Sequence, residues 1–330
     1  MILILTGDGD FSSDFVVQYL YFLKYPFVRI NSWDLLEPGF NISITNEGTF
    51  IKIKNQDINL KEVGAVWHRK FGFFKKSWFY KSAERVVSKT NLDYLSKEYS
   101  SLLGSVIGVL KDKYWLTSPY SLNLNKVEVL IKAQQVGLEI PDTFIENERN
   151  SLIQKITKFP IITKSVKDAW HVNEDSVNGE NIFTMYTSIV KESDIESLPT
   201  TFFPSLIQRS IEKNFEIRVF CLLDKLYSMA IFSQNDPQTE QDFRKYNIEK
   251  PNRFVPFILP NDIRLRILKL VRAFNLNCCS IDLIKGKDDK YYFLEINTTG
   301  QFGMVDFPCN YGLHSQVAKA LIKLDKMNIQ

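Results

Sequence analysis

Cys278–Gly303, CCSIDLIKGKDDKYYFLEINTTGQFG, decides how the chain is read. It divides into two apolar strands, Cys279–Ile284 and Tyr291–Ile296, joined by a charged turn around Gly286. The first strand carries one acid, Asp282. The second closes on Glu295-Ile296-Asn297, where period-two alternation turns Glu295 and Asn297 to one face. A hairpin in a suitable register sets Asp282 opposite them, so that two carboxylates and an amide oxygen share a patch. Carboxylates among Ile, Leu, Tyr and Phe are costly to bury unless a cation compensates. An oxygen-only set with so few protein donors suits Mg²⁺, which keeps water and phosphate oxygens in its coordination sphere.

Upstream of this hairpin, Asp262–Phe274 carries a helical stripe of Ile263, Ile267, Leu270, Val271 and Phe274. Gln234–Arg253 is polar, contains Pro237 and Pro251, and reads as a long loop. Phe215–Leu223 is a strand with Glu216 and Arg218 on one face, turned back by Asp224-Lys225 into Leu226–Phe232. Phe202–Ile211 leads into it, and Pro160–Lys164 is an apolar strand ending in a lysine. Asn125 caps a helix that buries Val127, Leu130, Ile131 and Ala133 and stops at Gly137. Lys126 lies in its first turn, where the helix dipole disfavours a cation unless an anion is near. Downstream, Phe302–Asn310 reads as a loop and a terminal helix starts at His314.

Trp115–Pro119 breaks the pattern and marks a boundary. Before it, Met1–Leu5, a turn at Gly7-Asp8-Gly9-Asp10, a helix from about Ser13 and a strand Phe27–Ile30 open an α/β unit. The glycine turn lacks G-x-G-x-x-G spacing and reads as a plain turn. Phe40–Ile53 suggests a hairpin bent at Asn46-Glu47-Gly48, and Ser82 to about Leu110 holds helical spacing. Ala65–Arg69 is a further strand, with His68 as a packing residue and Arg69 in a surface salt bridge.

At 330 residues, 45% apolar and 13% aromatic, the chain can build two or three compact units with real cores. A net charge of +3 without a long block of like charge argues against nucleic acid as a partner. Three scattered histidines and four cysteines without zinc spacing exclude a zinc module. With adjacent Cys278 and Cys279 unable to pair readily in a strand, a reducing, cytoplasmic setting is expected. The start MILILTGDGD lacks the basic end and length of a signal segment, and no window suggests a membrane span.

Lys126, Lys164, Glu216, Arg218, Asp282, Glu295 and Asn297 are therefore charged or polar residues that sit awkwardly at element ends. Two lysines and an arginine suit a polyphosphate, and the acids suit its magnesium. Over roughly residues 118–304 this order resembles the ATP-grasp ligases. The resemblance implies an α+β ATP-grasp fold: an N-terminal α/β domain (1–117), a central small α+β domain (118–205) and a C-terminal antiparallel-sheet domain (206–330). It also implies ATP and Mg²⁺ as cofactors. Lys126 and Lys164 match the phosphate-binding lysines. Leu206–Ile211, with Gln208, Arg209 and Ile211, matches the hinge beside adenine, and Glu216 matches the ribose-binding acid. Arg218 matches the arginine near the transferred phosphate, and Asp282, Glu295 and Asn297 match the metal ligands. Two features depart from the family: few glycines in Ser165–His171, and Arg209 where many relatives carry an acid.

Val66-Trp67-His68-Arg69, Asp242-Phe243-Arg244 and Asn297–Phe302 further resemble the graspetide synthetases, the ATP-grasp macrocyclases of microviridin-type peptides. The resemblance implies an enzyme that activates Asp or Glu side chains of a ribosomal precursor peptide, through its leader and core, and joins them to Thr or Ser as esters. Arg244 is then the candidate grip on the acyl phosphate or acceptor acid, and Gln301 the group that orients nucleophile or phosphate. His171 is read as a lid or surface residue rather than a base. Trp78, Phe79 and Tyr80 offer either a leader contact or core packing. The family resemblance also implies a homodimer. The alternatives are a ligase that adds an amino acid to a protein tail, a lactam-forming cyclase, and a silent nucleotide- and peptide-binding module.

Overall fold

Every second residue of Ile2–Thr6 faces a different core. Ile2 and Ile4 join one apolar cluster, and Leu3 and Leu5 join another. A strand buried on both faces belongs in a parallel sheet covered by helices. The computed structural model shows such a sheet, with Phe27–Asn31, Ile2–Thr6, Ala65–Arg69 and Tyr114–Trp115 side by side and parallel. It describes residues 1–327 apart from 8, 55, 168–170, 177–178, 185–186 and 246, and over 171–176 and 179–184 the backbone alone.

Two antiparallel sheets follow. The central one orders Ser188–Ile189, Ile161–Lys164, Thr201–Arg209 and Thr143–Glu148, beside a separate hairpin of His171–Ser176 and Gly179–Thr184. The large one orders Arg253–Phe257, Lys225–Phe232, Lys213–Leu222, Cys278–Gly286 and Tyr291–Asn297. On one of its faces Ile217, Val219, Ile281 and Phe293 pack on the helices Lys126–Gln135 and Asn261–Ala273. On the other, Phe220 and Leu222 pack against the terminal helix Leu313–Met327 and the first sheet. The polar ends of that second face, at Glu216 and Arg218, continue past this packing towards the central sheet.

Three local expectations change. Phe302–Asn310 is not a loop throughout: Gly303–Cys309 is a helix, with Pro308 in its last turn and Asn310 left-handed at φ 53° as its stop. The helix expected from Ser82 is two, Trp78–Ala83 and Lys89–Gly108, because Ser88 caps a fresh start by accepting from the Asn91 amide. The hairpin Asn41–Thr45 and Gly48–Ile53 gains a third strand, Gln56–Asn59. All four cysteines are buried thiols. Among the described residues no helix is long and apolar enough to cross a membrane.

Candidate active site

Strand register builds the centre of the site. Arg218 lies opposite Asp282, and Asp282 opposite Glu295, so the three form one row across three strands. Asn297 lies opposite Ser280 on the same hairpin. A bulge between Asp282 and Leu283 leaves Leu294 without a partner. The extra residue re-aims the strand, so Leu294 and Glu295 both line the cleft.

That cleft, of about 310 Å³, opens between the large and central sheets. Lys126, Lys164, Gln208, Arg209, Ile211, Glu216, Arg244, Asp282, Glu295 and Asn297 all line it. Arg218 stands behind them, its Nη1 2.8 and 2.6 Å from the two Asp282 oxygens. Gln301 is elsewhere: it is exposed, and its Oε1 accepts from Ser12 Oγ at 2.6 Å and from Arg69 Nη2 at 3.3 Å. Asp168–Trp170 and the His171 side chain lie outside the described residues.

Asn125 caps the helix as its sequence position implies, accepting from the Val127 and Glu128 amides. The cap fixes Lys126 in the first turn, and the anion that offsets the helix dipole is Glu295, 3.3 Å away. Lys126 Nζ also donates to the Ser165 and Lys167 carbonyls. Burial would raise the Glu295 carboxyl, but Lys126, Lys164 and Arg244 outweigh it and hold it below the usual range. Asp282 goes the other way, raised by burial and by Glu295 against the pull of Arg218. Burial, reinforced by Lys126 and Arg244, brings the Lys164 ammonium down to about 8.

Other residues escaped the sequence. Lys213 pairs with Glu216, whose second oxygen accepts from Ser233 at 2.8 Å. On a regular strand Lys213 and Glu216 point to opposite faces; a register shift between Lys213 and Phe215 brings them together. Asp242 orients Arg244 with a two-pronged pair of 2.8 and 2.6 Å, and Arg244 holds its carboxyl low despite burial. The i, i+2 spacing of Asp242-Phe243-Arg244 was the available signal. Arg69 corrects an expectation outright. It is 1% exposed rather than on the surface, paired with Asp10 and in contact with the Thr299 and Gly300 carbonyls. Trp78 is half-exposed with its Nε1 on Glu37, while Phe79 and Tyr80 pack on Phe74.

The residues present fit a magnesium nucleotide. Gln208 donates to Thr143 Oγ1, which leaves its Oε1 buried and unpartnered. Beside Ile162, Ile211, Ile284 and Leu294 this oxygen suits the N–H of a flat base. Asp282, Glu295 and Asn297 supply only oxygen, and Asn297 Oδ1, accepting from the Thr299 amide, keeps a free lone pair. Among the described residues no group of three or more acidic, His or Cys side chains could cage a metal alone. A divalent ion here takes the rest of its shell from phosphate and water. The lining cations Lys126, Lys164, Arg209, Lys213 and Arg244 outnumber the lining carboxylates Glu216, Asp242, Asp282 and Glu295, as a polyphosphate requires.

Comparison with known proteins gives concordant results. Residues 123–321 match the family described as RimK-like ATP-grasp domain. No curated protein matches at the level required of a relative. Among solved structures, macrocyclase MdnC of Microcystis aeruginosa MRC, bound with precursor peptide MdnA, is 25% identical, with a TM-score of 0.81 over 98% of this chain and 99% of that one. The RiPP-associated ATP-grasp ligase of Chryseobacterium gregarium, with ADP and a leader and core peptide, is 26% identical, with a TM-score of 0.83 over 98% and 96%. ATP-grasp ligase PsnB, complexed with minimal precursor, Mg and ADP, shares the fold at 16% identity and a TM-score of 0.76 over 98% and 97%.

Proposed function

The chain belongs to the RimK-like ATP-grasp family of ATP- and Mg²⁺-dependent carboxylate ligases, and from that premise we propose that it cyclises a ribosomal precursor peptide through side-chain esters. The observation that carries this reading is the likeness, across almost the whole of both chains, to two ligases solved with such peptides. A peptide Asp or Glu carboxylate attacks the γ-phosphorus of ATP, ADP departs, and an acyl phosphate remains. A Thr or Ser hydroxyl of the same peptide attacks the acyl carbon, and inorganic phosphate leaves with the hydroxyl proton.

Asp282, Glu295 and Asn297 would hold magnesium, which would supply charge withdrawal from the phosphate oxygens. Lys126 and Lys164 take up phosphate charge from the other wall, with Arg218 behind Asp282. Gln208 and the apolar residues around it hold the base, and Glu216, steadied by Lys213 and Ser233, faces the ribose. Arg244, oriented by Asp242, grips the acyl phosphate. Holding both peptide groups together makes the condensation effectively intramolecular. The three-unit division at 117/118 and 205/206 belongs to the same reading, supported by the succession of sheets. So does a homodimer, for which Phe11, Phe15, Tyr19 and Phe22 offer an exposed aromatic helix face. A monomer in analytical ultracentrifugation removes the dimer. A cytoplasmic location accords with four reduced cysteines.

Mass spectrometry of a candidate precursor after incubation with ATP and Mg²⁺ tests the proposal. One water lost per link is the expected result. A gain of an amino-acid mass supports tail addition, and an unchanged mass supports a silent binding module. Mild alkali opens esters and leaves amides. Glu295→Gln is expected to abolish ADP release, and an active variant takes Glu295 out of the metal site.

A further inference from the structure

Arg69 uses its whole guanidinium. Nε and Nη2 donate to the two Asp10 oxygens at 3.1 and 3.3 Å, and Nη1 donates to the Thr299 and Gly300 carbonyls at 3.0 and 3.1 Å. Nη2 also reaches Gln301 Oε1 at 3.3 Å. Five N–H groups meet five acceptors, the full capacity of the side chain. Trp67 and Phe302 lie 5.9 and 5.7 Å from the guanidinium carbon, so the group is screened from water. Pairing with Asp10 alone would satisfy the charge. The two carbonyl contacts instead reach from the first sheet to a turn some 230 residues later in the chain.

That turn bears on two groups of the site. The Thr299 amide donates to Asn297 Oδ1 at 3.0 Å and so sets how the Asn297 oxygen points. Gly300 lies so close to its neighbours that a Cβ there would sit 2.5 Å from Ser280 Oγ and 3.0 Å from Arg218 Nη2. Holding the Thr299 and Gly300 carbonyls therefore holds Asn297 and the back of Arg218 together.

We propose that Arg69 is a positioning residue for the phosphate end of the cleft, fixing the Thr299–Gly300 turn so that Asn297 and Arg218 are set for a magnesium nucleotide. The proposal rests on the ATP-grasp reading of the cleft. It assigns the first sheet a share in the metal site without contact to metal or nucleotide. Lysine is no substitute, because one ammonium cannot grip a carboxylate and two carbonyls in a fork.

The test compares wild type, Arg69→Lys, the neutral pair Asp10→Asn with Arg69→Gln, and Glu295→Gln as the reference. ADP binding is measured calorimetrically in EDTA and then at graded Mg²⁺, beside thermal melting and steady-state kinetics. In both Arg69 proteins ADP affinity in EDTA is expected to stay within about twofold of wild type. The Mg²⁺-dependent gain in affinity should shrink about tenfold, and kcat should fall by roughly 10–100-fold at unchanged KM for peptide. A folded Arg69→Lys protein with the full Mg²⁺-dependent gain overturns the proposal. So does unfolding of both Arg69 variants, which assigns the residue to stability alone. If Glu295→Gln also keeps the full gain, the reading of the cleft falls first and this inference with it. If Glu295→Gln loses the gain and the Arg69 variants keep it, only the role of Arg69 falls.

Discussion

Lys164 ends a short apolar strand, where burial first, and then two cations among the four charged groups around it, press its proton off. With its ammonium at about 8, it is cationic below that pH and neutral above it. The cleft accordingly loses a phosphate partner as the pH rises through 8, and kcat/KM for ATP, which reports the free enzyme, should fall about tenfold per unit beyond it. Lys164→Arg keeps its charge throughout and should remove that limb. A wild-type profile flat from pH 7 to 9.5 counts against the assignment. The position of Lys164 was legible because a lysine closing an apolar strand is out of place. Its weakened hold on the proton was not, because the elements that bury it, and then Lys126 and Arg244, come from distant stretches of chain. Arg69 was misjudged for the same reason: Asp10 and the Thr299–Gly300 turn are remote in sequence, and a strand tip by default meets water.

At the level of elements, the cap on Lys126–Gln135 does more than start a helix. Asn125→Ala removes the acceptor for two amides and should cost about 1 kcal/mol in thermal or denaturant unfolding. Fraying of the first turn also loosens Lys126 from Glu295, so KM for ATP should rise severalfold, while Asn125→Asp retains both properties. An unchanged KM in a destabilised Asn125→Ala protein separates the cap from the site. This helix and the closing hairpin were readable because each announces itself locally, by cap and stop or by alternation with one acid per strand. The bulge at Leu294 was not readable, since an inserted residue leaves the apolar pattern Tyr-Tyr-Phe-Leu intact. Gly303–Cys309 was hidden by its own composition. Glycine at one end and proline near the other are breakers in sequence, yet Pro308 gives up only the single bond its N–H would have made, one residue before the helix ends and two before the stop at Asn310.

The whole molecule is tied by its ends. Asp325, 1% exposed on the terminal helix, accepts from the Met1 amine and the Tyr25 hydroxyl at 2.8 Å, and from the Gly64 and Ala65 amides at 2.9 and 3.1 Å. Burial and this carboxylate push Tyr25 up to about 12. Asp325→Ala takes an acceptor from four donors, of which the Met1 amine keeps the Glu62 carbonyl and the Gly64 amide keeps the Met1 carbonyl, and should destabilise the protein by about 3 kcal/mol, read as a lower Tm for the whole protein rather than a local loosening. A melting curve that matches wild type denies the tie that importance. No local pattern in the first hundred residues reveals that Ile2 and Ile4 await Val317 and Leu321, for the apolar stripe of the terminal helix names no partner. Synthesis on a ribosome gives this arrangement a timetable. At about 5–20 residues per second the opening strand waits roughly 15–65 s for the helix that covers it. During that interval the apolar sheet face, with Val16 and Leu20 of the early helix covering only part of it, is available to chaperones, and a polypeptide that lacks residues 313–327 leaves that layer half closed.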